Sequence, residues 1–109
     1  MTQDPHTAFF GDAEYPFRLT AKMTLELERL TGIGIGALCT RVFNRQFSHS
    51  DISEIMRLSL TGAGMSPERA ASLIATYAID RPLIETYPIA VAVLELAWFG
   101  HPKHEAANG

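Results

Sequence analysis

The chain has 109 residues, of which 47% are hydrophobic and 19% are charged, with a formal net charge of -3. This composition is typical of one globular domain and excludes a disordered chain. The acidic balance also excludes a global basic field that would attract nucleic acid or acidic lipid.

A β-hairpin is predicted near the amino end. Two short aromatic-rich runs, residues 7–10 and 14–19, flank the dipeptide Gly11-Asp12. Glycine at the first loop position suits a type II′ turn. Tyr15 and Phe17 alternate onto one face of the second strand. That face must pack on helices, because an isolated hairpin is marginally stable in water.

Apolar spacing predicts the first two helices. Thr20 is expected to cap a helix whose inner stripe includes Met23 and Leu27 and which ends at Gly32. The second helix is predicted over residues 36–47, with its aliphatic residues facing inward. Neither helix can bury its apolar stripe alone, so the rest of the core must come from later segments.

A pair of helices joined by a glycine-containing turn is predicted over residues 51–78. Asp51 is the expected N-cap of the first, with Glu54 three residues later as in a capping box. Residues 48–50 are therefore expected to form a loop. Ser66 is the expected N-cap of the second helix, because a proline follows it at the first helical position.

A last helix is predicted over residues 80–100. Because this segment is apolar on almost every side, we expect it to be buried and central. Pro88 is expected to kink or divide it. The longest uncharged run, residues 86–94, is far shorter than the roughly 20 residues that span a bilayer, so no membrane segment is expected. The predicted fold is thus mainly α, with about five helices and a short N-terminal β-hairpin packed on them.

One domain is predicted over residues 7–100, between a flexible amino terminus at 1–6 and a flexible tail at 101–109. The first residues have neither the basic nor the apolar region of a signal peptide. The single cysteine, Cys39, fits a reducing compartment. We therefore expect a cytoplasmic protein.

No motif in the sequence indicates chemistry. The glycines of residues 32–36 follow a predicted helix and lack the spacing of a nucleotide-binding loop. The second helix of the predicted pair offers Arg69 alone to a nucleic acid, so it resembles a DNA-recognition helix only in outline. His101 and His104 lack further ligands for a metal. We therefore expect no catalytic residue, no cofactor and no metal, and a protein that acts by interaction.

Several segments, taken in order, are similar to one known family. They are the hairpin of residues 9–19 leading into Thr20, the helix end from Leu27 to Leu30 closed by Gly32, the pair Asp51-Ile52, the turn of residues 60–64, and the apolar last helix. Over residues 9–99 the chain resembles the gene transfer agent and bacteriophage tail assembly chaperone family.

This resemblance implies a non-enzymatic tail assembly chaperone. Such a protein would bind the tape-measure protein and keep it soluble during tail morphogenesis. It would also contact tail tube subunits. It implies no small-molecule substrate, nucleic acid or membrane partner, and it leaves self-association open. Two alternatives remain: a structural tail tube or minor tail component, and a small helical regulatory or nucleic-acid-binding protein.

A partner surface is predicted from surplus aromatic residues. A two-stranded hairpin can bury only one face, and alternation puts Phe10 opposite Phe9. Trp98 and Phe99 add a bulky apolar pair at the end of the last helix. We therefore predict Phe10, Trp98 and Phe99 as partner-binding residues. The alternative is that all the aromatic residues complete the core.

Overall fold

The computed structural model describes residues 5–100 of the chain. In chain order its elements are β1 (His6–Phe10), β2 (Ala13–Phe17), α1 (Ala21–Thr31), α2 (Ile35–Phe43), α3 (His49–Gly62), α4 (Pro67–Tyr77), a 3₁₀ turn (Leu83–Glu85) and α5 (Tyr87–Phe99). The prediction of a mainly α fold with a short N-terminal hairpin is confirmed. Residues 1–4 and 101–109 lie outside the described part, including His101, His104 and most of both predicted flexible ends. Because β1 begins at His6, that residue belongs to the hairpin.

The hairpin has the predicted two-residue loop. β1 and β2 are antiparallel, and Phe10 lies opposite Ala13 across the loop Gly11-Asp12. Gly11 has a φ of 71°, whereas Asp12 does not have a positive φ. A positive φ at the first loop position alone is the φ pattern of a type II′ turn, as the sequence predicted.

The inner face of the hairpin packs on α3. Tyr15 and Phe17 are buried as predicted, and Phe17 is fully excluded from solvent. Just beyond β2, the backbone N–H of Arg18 donates to the carbonyl of Ser59 at 2.9 Å. A Cβ added to Gly62 would lie 2.1 Å from the Arg18 carbonyl oxygen, so only glycine fits at this approach.

The predicted caps of α1 and α4 are present. The Thr20 hydroxyl accepts a hydrogen bond from the N–H of Met23 at 3.2 Å, and Gly32 ends the helix with a φ of 78°. Ser66 caps α4 in the same way, accepting from the N–H of Arg69, with Pro67 in the first turn. Local side-chain chemistry therefore determines where these two helices begin.

The start of α3 differs from the prediction. Ser48 is the N-cap and Asp51 is the third helical residue, so residues 49–50 are helical rather than a loop. The Asp51 carboxylate accepts from the Ser48 N–H at 2.9 Å and from Arg41 at 2.9 Å. Ser48 and Asp51 form the capping box that the sequence analysis placed at Asp51 and Glu54. The buried carboxylate is satisfied at both oxygens, which favours this earlier start.

The centre of the fold is α3, not the last helix. α3 contacts α1, α4, α5 and β2. Its fully buried side chains include Ile55, Met56 and Leu60. The expectation that α5 is central and buried on every side is wrong, because its carboxyl end projects past the core. No helix within residues 5–100 has both the length and the apolar character needed to cross a membrane.

Pro88 divides the predicted last helix and does not kink it, because α5 begins at Tyr87 and not near residue 80. It lies in the first turn, where a missing N–H breaks no helical hydrogen bond. The preceding segment forms only the short 3₁₀ turn. The amino end of α5 is anchored to the region of α2, because the Tyr87 hydroxyl donates to the Val42 carbonyl at 2.9 Å and its ring stacks on Phe47.

Candidate interaction surfaces

An exposed aromatic pair ends α5. Trp98 and Phe99 are 58% and 70% exposed. Their rings meet edge to face, with centroids 6.5 Å apart. Trp98 lies beside α2, since a Cβ added to Gly36 would be 3.9 Å from its ring. The structure thus presents both of these predicted residues to solvent as one patch, which we call the aromatic pair.

The third predicted residue lies in the core. Phe10 is 3% exposed, whereas its neighbour Phe9 is 66% exposed. The Phe10 ring packs edge to face on Phe17 and on Tyr77, at centroid distances of 6.2 Å and 6.1 Å. The expectation that Phe10 faces outward is therefore wrong. The outward aromatic residue of β1 is Phe9.

The register of the hairpin explains why Phe10 points inward. Phe10 pairs with Ala13, and residues directly opposite each other point to the same face of a sheet. Ala13 is two residues from the inward Tyr15 and so shares its face. Given a two-residue loop and an inward Tyr15, the sequence alone indicates that Phe10 points inward and Phe9 outward.

Phe9 borders a cleft of about 430 Å³ near the hairpin turn. The cleft is lined by Phe9, Phe10, Gly11, Tyr77, Arg81 and Glu85. Three of these six residues are aromatic, and the last two precede α5 along the chain. The sequence does not predict this cleft, because the hairpin, the end of α4 and the segment before α5 come together only in the folded chain.

A bidentate ion pair forms one rim of the cleft. The Arg81 guanidinium donates to both carboxylate oxygens of Glu85, at 3.0 Å and 2.9 Å. This hydrogen bond lowers the pKa of the Glu85 carboxyl and raises the pKa of Arg81. Both groups are exposed, so the pair contributes little to stability. The ion pair instead fixes the orientation of Arg81, because two parallel hydrogen bonds hold the plane of the guanidinium.

The hairpin tip beside the cleft is held to α4. The Tyr15 hydroxyl donates to the Asp12 carboxylate at 2.7 Å, and this hydrogen bond raises the pKa of Tyr15. Arg69 reaches the same hydroxyl at 3.4 Å and lies over the Tyr15 ring, 5.6 Å from its centroid. These contacts place the Gly11 turn against α4 and so determine the position of the cleft wall.

The described residues offer few chemically reactive groups. Within residues 5–100 no three histidine, cysteine, aspartate or glutamate side chains are grouped so that they could hold a metal ion. Cys39 is buried, and burial raises the pKa of its thiol, which disfavours the reactive thiolate. The aromatic pair and the cleft both present aromatic side chains for contact.

Comparison with known proteins adds one match. A family model described as "Phage tail tube protein, GTA-gp10" matches residues 4–100. No curated protein and no solved structure matches the chain. The family description supports the gene transfer agent and phage tail part of the resemblance, and it does not name a chaperone. Because the match spans nearly the whole chain, the protein belongs to the phage tail tube protein family, GTA-gp10.

Proposed function

We propose that the protein is a structural component of the tail of a phage-like particle, such as a gene transfer agent. It acts by binding other tail proteins, not by catalysis. The observation that carries this proposal is the family match over residues 4–100, whose description is a tail tube protein. This favours the structural alternative over the chaperone that the sequence resemblance suggested.

Exposed apolar side chains support a role in protein contacts. Trp98 and Phe99 are accompanied elsewhere on the surface by Phe9 and Ile84, which is 76% exposed. Scattered apolar side chains are ordinary on a monomer, but adjacent bulky ones often mark contact sites. An aromatic pair at a helix end can contribute strongly to an interface because aromatic residues bury large areas.

A tail assembly chaperone for the tape-measure protein is the second candidate. The exposed aromatic pair favours it too, because a chaperone needs an apolar surface that stays accessible. The two roles differ in what happens after assembly. A structural component stays in the particle, whereas a chaperone leaves it.

Quantitative mass spectrometry of purified particles separates these roles. A structural component is expected in tailed particles at a constant ratio to the other tail proteins, and this ratio should survive a high-salt wash. Absence from particles, together with co-purification with the tape-measure protein in lysates lacking tube subunits, would overturn the structural role and support the chaperone.

A variant pair tests whether the aromatic surface is involved. The double substitution Trp98→Ala with Phe99→Ala should reduce incorporation or tail yield. Leu25→Ala, at a position on α1 that is 66% exposed, is the matched control and should leave incorporation unchanged. A salt-dependent gel shift with DNA, by contrast, would favour the nucleic-acid-binding alternative.

A further inference from the structure

The register of the hairpin shows which backbone groups point outward at its two edges. Because Phe10 and Ala13 flank a two-residue loop, they form a hydrogen-bonded pair. Such pairs alternate along an antiparallel ladder with pairs that exchange no hydrogen bond. On β1 the residues of the second kind are Thr7 and Phe9. Their N–H and C=O groups therefore point away from β2.

The edge of β2 is closed to a further strand. Its outward residues are Glu14 and Pro16, which lie opposite Phe9 and Thr7. Proline has no N–H to donate, and a charged side chain at an edge disfavours strand pairing. In the same alternation, the N–H of Arg18 donates to a carbonyl of α3 at 2.9 Å. An additional strand on this side would lack donors and would collide with α3.

The edge of β1 is open. Within residues 5–100 the sheet has only these two strands, and no backbone hydrogen bond joins Thr7 or Phe9 to a residue outside it. Both residues are exposed and uncharged. Each offers one donor and one acceptor to an incoming backbone. An unpaired row of this kind is a template for strand addition.

The aromatic cleft adjoins this open edge. Phe9 and Phe10 of β1 line it together with Tyr77, on which the Phe10 ring packs. Residues directly opposite each other in paired strands point to the same face of a sheet. In a strand added to β1, the residue opposite Phe10 would therefore point toward the cleft. An apolar or aromatic side chain suits this position, because ring faces and edges line it.

We propose that the open edge of β1 receives an extended apolar segment of a different protein, which adds a third strand to the hairpin. Backbone hydrogen bonds to Thr7 and Phe9 give the contact its affinity, and a side chain in the cleft gives it selectivity. A second copy fits less well. Among its described residues only β1 has an open edge, and antiparallel pairing through both edge residues would place His6 opposite Phe10.

A model peptide tests this edge on the purified chain. The probe is fluorescein-labelled Lys-Thr-Val-Phe-Val-Thr-Lys, which is extended, apolar at its centre and the same in either strand direction. Fluorescence anisotropy measures its binding. Wild type should bind the probe, and N-methylation of its three central amides should abolish binding because it removes the donors. A probe that does not bind, or that binds equally well when methylated, would overturn the inference.

Proline substitutions at the two edges form a matched pair. Thr7 and Glu14 both point their N–H groups away from the ladder, so proline at either position removes an outward donor and leaves the β1–β2 hydrogen bonds in place. Thr7→Pro should weaken probe binding by about fivefold or more, the effect of one lost hydrogen bond. Glu14→Pro, on the closed edge, should bind like wild type. Equal binding by the two variants would contradict the assignment to β1.

Light scattering of the chain without the probe tests the other occupant. Wild type should remain monomeric as its concentration increases. A dimer that forms in wild type and is absent from Thr7→Pro would assign the edge to a second copy and overturn the proposed partner.

Amide hydrogen exchange on wild type keeps the inference testable if a variant fails to fold. Measured by nuclear magnetic resonance, exchange at Thr7 and Phe9 should slow when the probe is added. The Glu14 amide, on the closed edge, is the internal control and should not change. Protection at Glu14 alone, or at none of the three amides, would overturn the inference. The inference goes beyond the tail role: retention in particles without probe binding would refute only the open edge, and probe binding by a chain absent from particles would refute only the tail role.

Discussion

β1 and α5 are both apolar on more than one side, but they divide their apolar residues differently. In β1, buried and exposed residues alternate along the strand: Phe10 lies in the core and Phe9 points to solvent. In α5 it runs along the helix axis: Leu94 is fully buried, whereas Trp98 and Phe99 are exposed. Each element therefore buries some of its apolar side chains in the core and leaves others accessible to solvent.

The difference shows that apolar content alone does not predict burial. A strand turns alternate side chains to opposite faces, so one layer of helices can cover only half of them. A helix that is apolar on all sides is buried only along the length that its neighbours cover. α3 has more polar residues than α5, yet it is central because four elements pack around it. The following predictions test this division.

The largest effect is expected from the paired substitutions Phe10→Ala and Phe9→Ala. Phe10→Ala removes a buried ring and its contacts with Phe17 and Tyr77. It should lower the free energy of unfolding by about 3–5 kcal/mol. Phe9→Ala should change it by less than about 0.5 kcal/mol. Urea unfolding measures both values, and equal costs would contradict the observed hairpin face.

The same contrast is expected within α5. Leu94→Ala should cost about 2–5 kcal/mol, because its side chain has no exposed surface. Phe99→Ala removes a larger side chain but should cost less than about 0.5 kcal/mol. Thermal unfolding followed by circular dichroism compares the two. A large cost at Phe99 would mean that the end of α5 belongs to the core.

The packing of the hairpin on α3 determines which face of β1 is buried. Gly62→Ala tests this packing. The added Cβ would lie 2.1 Å from the Arg18 carbonyl oxygen, a backbone atom that cannot move alone. We expect a loss of about 1–3 kcal/mol in unfolding free energy. Gly36→Ala is the control, because the added Cβ would lie an ordinary 3.9 Å from a ring atom of Trp98. An unchanged Gly62→Ala protein would contradict this close approach.

The smallest effect concerns the rim of the cleft. The hydrogen bond from Arg81 lowers the pKa of Glu85 from its ordinary value of 4.5. A carboxyl with a lowered pKa in the folded state adds stability above its unfolded pKa, and this is lost as pH falls through the folded pKa. At neutral pH, Glu85→Gln should therefore reduce Tm slightly, since the pair is exposed. The difference from wild type should shrink as pH falls below 4.5 and vanish once pH is below the lowered pKa of Glu85, and a difference that grows in acid would contradict the sign.

Much of the fold was predictable because its signals are local. The Gly11-Asp12 turn and the caps at Thr20 and Ser66 depend on residues within a few positions of each other. The start of α3 was missed because two overlapping segments fit a capping box. The choice of Ser48 is supported by a contact between the Asp51 carboxylate and Arg41, ten residues earlier.

The candidate interaction surfaces were predictable only in part. The position of Trp98 and Phe99 near the end of the apolar segment indicated exposure, and the structure presents both to solvent. Phe10 was misplaced although the register of a two-residue loop could have placed it. The cleft could not be predicted, because Tyr77 and Arg81 meet the hairpin through tertiary packing that no local pattern encodes.

A role of α5 in protein contacts requires above all that its aromatic end is accessible in the isolated chain. Trp98 is the only tryptophan, so acrylamide quenching of its fluorescence in dilute solution measures this directly. Because Trp98 is 58% exposed, acrylamide should quench it strongly, with emission at long wavelength. Weak quenching and short-wavelength emission in the dilute monomer would show that Trp98 is part of the core, and would contradict the division of α5 into a buried length and an accessible end.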